Sequence, residues 1–260
     1  MIDQETIPNL MPGAEPVFLK GGDTGILFFH GFTGSPYEGR EFASHFSQRG
    51  YTVWVPLLPG HGTDPKDLLN ISWRDWYTFG EDCLSKLKKQ CSKIVLAGQS
   101  MGSSLALTLA AHHPVEAIIS LAGAVFLKDW RLILLPIARK LIPYHYKSRG
   151  PDISSKEAKK NSASYSKYPV NSIDEFLSLL NVAKESLKKI NAPLVLVHSK
   201  NDHTVTHKNM DYIYNQVSST IKRKLTLENS YHIVSVDNDR AEVFQAVEDF
   251  LSELKLLPKI

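Results

Sequence analysis

Ser100, Asp202 and His232 are the residues whose types and spacing could do chemistry together. A serine hydroxyl is a poor nucleophile until a base takes its proton, and the usual base is a histidine oriented by a carboxylate. Ser100 is the centre of Gly98-Gln99-Ser100-Met101-Gly102. An apolar run from Lys93 to Gly98 precedes it, and Leu105 and Leu109 follow at helical spacing among small residues. The pattern reads as a buried strand, a sharp turn and a tightly packed helix. Such a turn pushes its central side chain outward and leaves no room for a Cβ two residues to either side, where this chain has Gly98 and Gly102. The helix N-terminus behind Ser100 favours negative charge in front of it. The five-residue pattern alone would also suit a serine that only caps the helix, so the rest of the chain decides.

In an open parallel sheet, reactive groups gather beyond the carboxyl ends of the strands. Asp202 lies a few residues past the apolar run Leu194 to Val197, and His232 lies similarly past Lys224 to Leu227. Asp237 and Asp239 are rival acids for the same role, and an Asp at position 202 could also simply form a turn. The other histidines have plainer readings. His30 and His61 sit in Gly-rich turns and suit hydrogen bonds to loop backbone. His112 and His113 end a helix, where a cation suits the dipole. His198, His203 and His207 lie near Asp202 and could order that loop, and His145 falls in the insertion between strands. Acyl transfer also needs donors for a developing oxyanion. The expected ones are the backbone N–H of Met101, just after the serine, and that of Phe32, in the loop after the first parallel strand.

The elements that must position these residues can be read in order. Residues 1–16 form an irregular lead-in. A short strand over Val17 to Lys20 precedes a buried-type strand, Ile26 to Phe29, and the Gly-rich turn His30 to Pro36. A helix from Tyr37 to Arg49, a strand from Tyr51 to Val55 and the turn Gly60-His61-Gly62 come next. Trp73, Trp76, Tyr77, Gly80, Cys83, Leu84 and Leu87 then mark an amphipathic helix with Ser72 as its N-cap. The serine strand and helix, and a strand over Ala117 to Leu121, complete four strand–helix alternations, which implies parallel strands with right-handed crossovers. Residues 124–190 interrupt the alternation. Beyond them lie the strand Leu194 to Val197, a helix from Asn209 to Gln216, the strand Arg223 to Leu227 and a last helix with Val243, Phe244, Val247, Phe250 and Leu251 on one face.

Composition bounds the function. A chain of 260 residues can bury a large core and suits one α/β domain better than two. A net charge of +3 is too small to imply nucleic acid as a partner. The stretch has no basic leader followed by a long apolar run, and no apolar run approaches the roughly 20 residues of a membrane helix. Neither a secretory signal nor stable membrane insertion is therefore expected. Cys83 and Cys91 would lie roughly 12 Å apart along a helix, too far for a disulfide. Two reduced cysteines fit a reducing, cytoplasmic setting.

The motifs His30-Gly31-Phe32-Thr33-Gly34-Ser35-Pro36, Gly60-His61-Gly62-Thr63, Gly98-Gln99-Ser100-Met101-Gly102, the Asp202 loop and Asn229-Ser230-Tyr231-His232 together resemble the small bacterial carboxylesterases and monoacylglycerol lipases of the α/β-hydrolase fold. The chain order Ser, Asp, His is the order of that fold. The resemblance implies a mostly parallel central sheet flanked by helices. Residues 1–123 and 191–260 would form the hydrolase core, and residues 124–190 an inserted cap, or lid. It implies Ser100, Asp202 and His232 as the triad, with Phe32 and Met101 as oxyanion donors, and no cofactor or metal. The chain departs from the family's usual residues at Gln99, often Leu, and at Ser103, often Gly.

Within 124–190, the run from Trp130 to Ile137 is apolar and suits a pocket wall. Lys128 to Lys167 hold ten Lys and Arg against three acids, a surplus that suits a solvated basic face and allows transient contact with an anionic lipid surface. A helix from Asp174 to Ile190 returns to the sheet. The expected function is hydrolysis of carboxylic esters of short- to medium-chain acyl groups, monoacylglycerols among them, through an acyl-enzyme on Ser100. A thioesterase or C–C-bond hydrolase of the same fold, and a ligand-binding homologue without catalysis, are the alternatives.

Overall fold

The computed structural model describes residues 7–258; the first six residues of the lead-in lie outside them. The chain runs β1 (Val17–Leu19), β2 (Thr24–Phe29), α1 (Tyr37–Ser47), β3 (Thr52–Val55), α2 (Trp73–Lys88), β4 (Lys93–Gln99), α3 (Met101–Ala110) and β5 (Ala117–Leu121). An excursion then carries α4 (Leu135–Leu141), β6 (Tyr144–Tyr146), α5 (Lys156–Asn161), β7 (Lys167–Pro169) and α6 (Ser172–Ser186). The chain returns through β8 (Leu194–Ser199), α7 (Lys208–Gln216), β9 (Lys222–Leu227) and α8 (Arg240–Glu253). Seven strands form one sheet in the order β1-β3-β2-β4-β5-β8-β9. All pairs are parallel except β1 with β3. The four parallel strands expected before the interruption, β2 to β5, and the three helices between them are all present, with ends within a few residues of those expected.

Strands buried on both faces need apolar residues at every position, and β2, β4, β5 and β8 have nearly that. Alternate side chains then feed two layers. Ile26, Phe28, Val95 and Ala97 pack with Phe42 and Phe46 of α1 and Val243, Val247 and Phe250 of α8. Leu27, Phe29 and Leu96 pack on the opposite face with Trp76, Leu84 and Leu87 of α2 and Leu105 and Leu109 of α3. Ser72 starts α2 as expected: the Asp75 carboxylate accepts from its N–H at 2.7 Å and from its hydroxyl at 2.6 Å. Cys83 and Cys91 are both buried and free.

The excursion divides into two parts. Its last helix, α6, lies on α3 and buries Phe176, Leu179, Leu180 and Ala183. It begins at Ser172, two residues before the expected start, where the Ser172 hydroxyl donates to the Pro169 carbonyl at 2.7 Å. The apolar run differs from its expected place as a pocket wall. A 3₁₀ turn, Trp130–Leu134, leads into α4, and Trp130, Ile133, Ile137 and Leu141 are 61–81% exposed. Only Leu135 of α4 is buried. The helix is short and sits at the outside of the excursion, tied to α6 by Arg139 and Asp174 at 2.9 Å, so a single face reaches the interior. Among the described residues no helix is long and apolar enough to cross a membrane.

Trp76 is fully buried, and its indole N–H donates to the Pro59 carbonyl at 3.0 Å. Trp76→Ala should cost about 3–5 kcal/mol through a cavity in this layer, read as the loss of unfolding free energy in denaturant; an unchanged midpoint would contradict this placement of the core.

Candidate active site

The register of the sheet gathers four connections in two pairs. Phe29 pairs with Gly98, so the loop after β2 emerges beside the turn after β4. Ser199 pairs with Leu227, so the loops after β8 and β9 emerge together. Ser100 sits in the first of these turns with φ 55° and ψ −117°, a conformation that costs an L-residue about 1–3 kcal/mol. The turn is held by the Ser100 N–H on the Leu121 carbonyl at 2.8 Å. A Cβ on Gly98 would lie 2.2 Å from the Gly102 backbone, and one on Gly102 would lie 2.0 Å from the Phe29 carbonyl oxygen. The two glycines are therefore required by closeness. Ser103, a departure from the family's usual residue, shares a 2.6 Å hydrogen bond with the Ser120 hydroxyl.

The loop after β2 lies against Ser100. A Cβ on Gly31 would be 3.4 Å from the Ser100 Cβ. His30 donates from Nδ1 to the Gly31 carbonyl at 2.9 Å and accepts the Leu58 N–H on Nε2 at 3.1 Å. Burial and the neighbouring His61 hold it neutral, well below the ordinary histidine range. His61 donates from Nδ1 to the Pro59 carbonyl at 3.0 Å, and burial brings its pKa down to about 4. Both histidines thus bond loop backbone, as expected. The N–H groups of Phe32 and Met101 make no hydrogen bond among the described residues. The Phe32 ring stacks on Phe176 at 4.9 Å and meets Tyr168 at 5.4 Å, edge-on.

Beneath this loop lies an acid the sequence reading did not single out. Glu38, in the first turn of α1, is buried and accepts the Gly31 N–H at 2.7 Å. Burial pushes its carboxyl up to about 7, against the pull of the Gly31 N–H, His232 and Lys147. Lys147, which follows β6, is half-buried, and burial brings its amine down to about 8 against the pull of Glu38. An acid in a helix's first turn ordinarily reads as a surface complement to the dipole, so its spacing carries no signal.

His232 and Asp202 come together as the spacing after the strands suggested. His232 Nδ1 lies 2.7 Å from Asp202 Oδ2. The same oxygen accepts from His198 Nε2 at 3.0 Å, and Oδ1 accepts the N–H groups of Thr204 and Val205 at 2.8 and 2.7 Å. Burial opposes ionisation of Asp202, but His232, His198 and these bonds hold its carboxyl well below the usual carboxylate range. Burial likewise opposes a charged His232, yet Asp202, then Asp152 and Glu38, raise its pKa above the ordinary value. The rival acids serve backbone instead. Asp237 accepts the N–H groups of Ser154, Ser155, Tyr231 and Asn238, each at 2.8 Å. Asp239 holds Asn229.

Gln99 joins the serine turn to the histidine loop. Its Nε2 donates to the His232 carbonyl at 2.8 Å. Ser100 Oγ and the His232 ring do not hydrogen-bond to each other in this structure. The excursion ties the other two loops: the Asp152 carbonyl accepts the N–H groups of His232 and Ile233 at 3.0 and 3.2 Å, and its carboxylate accepts from His203. Chemically, an imidazole oriented by a buried carboxylate, near a strained-turn serine and two backbone N–H groups without a partner among the described residues, has the parts of an acyl-transfer site. Among the described residues no three His, Cys, Asp or Glu side chains converge as a metal site.

A mostly parallel sheet with a strained serine turn after one strand and acid and histidine loops after two later ones defines an α/β-hydrolase of the serine-hydrolase class. The chain belongs to the family described as serine aminopeptidase, S33, which matches residues 23–239. It is 33% identical over 245 residues to the thermostable monoacylglycerol lipase of Bacillus sp. (strain H-257), covering 94% of this chain and 96% of that one. It is 28% identical to a carboxylesterase of Bacillus subtilis (strain 168), covering 92% and 97%. Among solved structures, a metagenome-derived lipolytic enzyme of the LipS and LipT pair superposes with a TM-score of 0.89 at 32% identity, covering 94% of this chain and 99% of that one.

The acid–base pair has a titration signature. The folded Asp202 value lies below the unfolded one, so its contribution to stability is present above about pH 4 and is lost as pH falls into the acid range. Asp202→Asn should flatten the acid side of the stability–pH curve and move the His232 imidazole titration, followed by NMR, to lower pH. An unchanged His232 titration would contradict the pairing.

Proposed function

We propose that this serine hydrolase cleaves carboxylic esters of short- to medium-chain acyl groups, monoacylglycerols among them, through an acyl-enzyme on Ser100. The observation that carries the reading is the buried Asp202–His232 bond of 2.7 Å, tethered through Gln99 to the strained Ser100 turn. In this reading the Asp202 bond keeps the proton on Nδ1 and leaves Nε2 free as base. Ser100 Oγ attacks the ester carbonyl as His232 takes its proton. The N–H groups of Phe32 and Met101 receive the oxyanion. Collapse breaks the ester C–O bond, and His232 returns the proton to the leaving alcohol. Water, deprotonated by His232, then attacks the acyl-enzyme and releases the carboxylic acid and Ser100.

Residues 124–190 act as a cap in this account. The stacked Phe32 and Phe176 rings support an apolar acyl site beneath it. The exposed Trp130, Ile133, Ile137 and Leu141 beside Arg139 and Lys140 support transient contact with a lipid surface, without insertion. Two free, buried cysteines favour a cytoplasmic setting.

The test is turnover of p-nitrophenyl esters from acetate to palmitate, beside 1-monoacylglycerols and acyl thioesters, with Ser100→Ala as the blank. Wild type should act on the oxygen esters, and Ser100→Ala should lose about 10⁴-fold or more in kcat. Turnover retained by Ser100→Ala would overturn the nucleophile, and turnover of thioesters alone would overturn the bond.

A further inference from the structure

We propose that Glu38 is a positioning residue for the oxyanion site: its buried carboxyl holds the Gly31 N–H and so sets the Gly31–Phe32 peptide that supplies one donor. The inference rests on the reading of Ser100 and the Phe32 amide given above. A Cβ on Gly31 would press on Glu38 Oε2 at 3.2 Å and touch Ser100 Cβ at 3.4 Å, so the position is tight on both sides. A glycine is also the residue with the widest backbone freedom. A donor is useful only if it already points where charge develops, so both peptides flanking Gly31 must be fixed from outside.

They are fixed from two sides. The Gly31 carbonyl accepts from His30 Nδ1 at 2.9 Å and from the Gly34 N–H at 3.1 Å. The Gly31 N–H is taken by Glu38 at 2.7 Å. Burying a carboxyl is costly unless it is well bonded, and Glu38 is only 4% exposed. The loop closes around it. A Cβ on Gly34 would lie 2.0 Å from Glu38 Oε1, so the glycine makes room for the acid. His232 and Lys147 also face this carboxyl. The contact requires an acceptor oxygen, which both the ionised and the protonated carboxyl supply, and which glutamine would supply as well.

The experiment compares Glu38→Ala, Glu38→Gln, Gly34→Ala and Ser100→Ala with wild type on a single ester. Circular dichroism checks folding. The readouts are kcat, KM and affinity for an alkyl trifluoromethyl ketone, which adds to serine as a tetrahedral oxyanion. Glu38→Ala, which loosens one donor without removing it, should lower kcat about tenfold to a hundredfold, short of the ~10²–10³-fold cost of losing a donor outright. KM should change little, and ketone affinity should fall in parallel with kcat. Glu38→Gln should restore most of both. Gly34→Ala, which displaces the carboxyl without removing it, should resemble Glu38→Ala and decides the matter if Glu38→Ala does not fold. Wild-type kcat and ketone affinity in folded Glu38→Ala or in Gly34→Ala would overturn the inference, as would a loss in Glu38→Gln equal to that in Glu38→Ala. If Ser100→Ala is dead while the Glu38 variants match wild type, this inference alone fails. If Ser100→Ala is active, the proposed function fails first.

Discussion

Two carbons that are not there shape the centre of this molecule. A Cβ on Gly102 would overlap the Phe29 carbonyl, and one on Gly98 would overlap Gly102 itself. Helix α3 can leave β4 at this clearance only by folding the connection back on itself at Ser100, which takes φ 55°. The strain of about 1–3 kcal/mol is small beside the burial of Leu105, Ala106 and Leu109 under α3, each completely enclosed. Packing therefore holds the serine in a conformation it would not choose. The same closeness brings the end of β2 against the turn, so that Gly31 lies beside Ser100 and the Met101 N–H starts a helix in front of it. The proposed nucleophile and its two proposed donors are thus consequences of one crossing between a strand and a helix.

The second half of the site is electrostatic. Asp202 is buried, and its two oxygens are occupied by two histidines and two backbone N–H groups. A carboxylate so bonded stays ionised in a dry setting, and its charge outweighs the burial of His232. The loops that carry the pair hang on the excursion as well as on the sheet. Asp152 and Ser154 to Ser155, which belong to the excursion, bond the His232 loop directly and through Asp237. The excursion therefore helps set the geometry of the His232 loop.

Much of this was legible in the residue order. Short apolar runs marked the parallel strands, and looking just beyond two of them led to Asp202 and His232, which the structure brings to 2.7 Å. Proximity across the chain was not legible. Glu38 looks like any acid at a helix start until the loop is seen to close over it. Gln99 stood out as an unusual residue, but its bond to the His232 carbonyl depends on two loops meeting. The run from Trp130 to Ile137 shows the limit of hydropathy. Its apolar character suggested a wall, whereas Trp130, Ile133 and Ile137 face solvent and Leu135 turns inward, because periodicity reports that a face is apolar and not what covers it. The helix after it was legible because Phe176, Leu179, Leu180 and Ala183 recur at the spacing of a packed face.

Covalent trapping shows whether the strained turn presents Ser100 as a nucleophile activated by His232. The protein is treated with an alkyl fluorophosphonate, and the adduct is mapped by peptide mass spectrometry in wild type and in His232→Ala. One adduct is expected, on the peptide containing Ser100, formed rapidly in wild type and far more slowly in His232→Ala. An adduct on another residue, no adduct in an ester-hydrolysing preparation, or equal labelling rates in the two proteins would contradict those roles of Ser100 and His232.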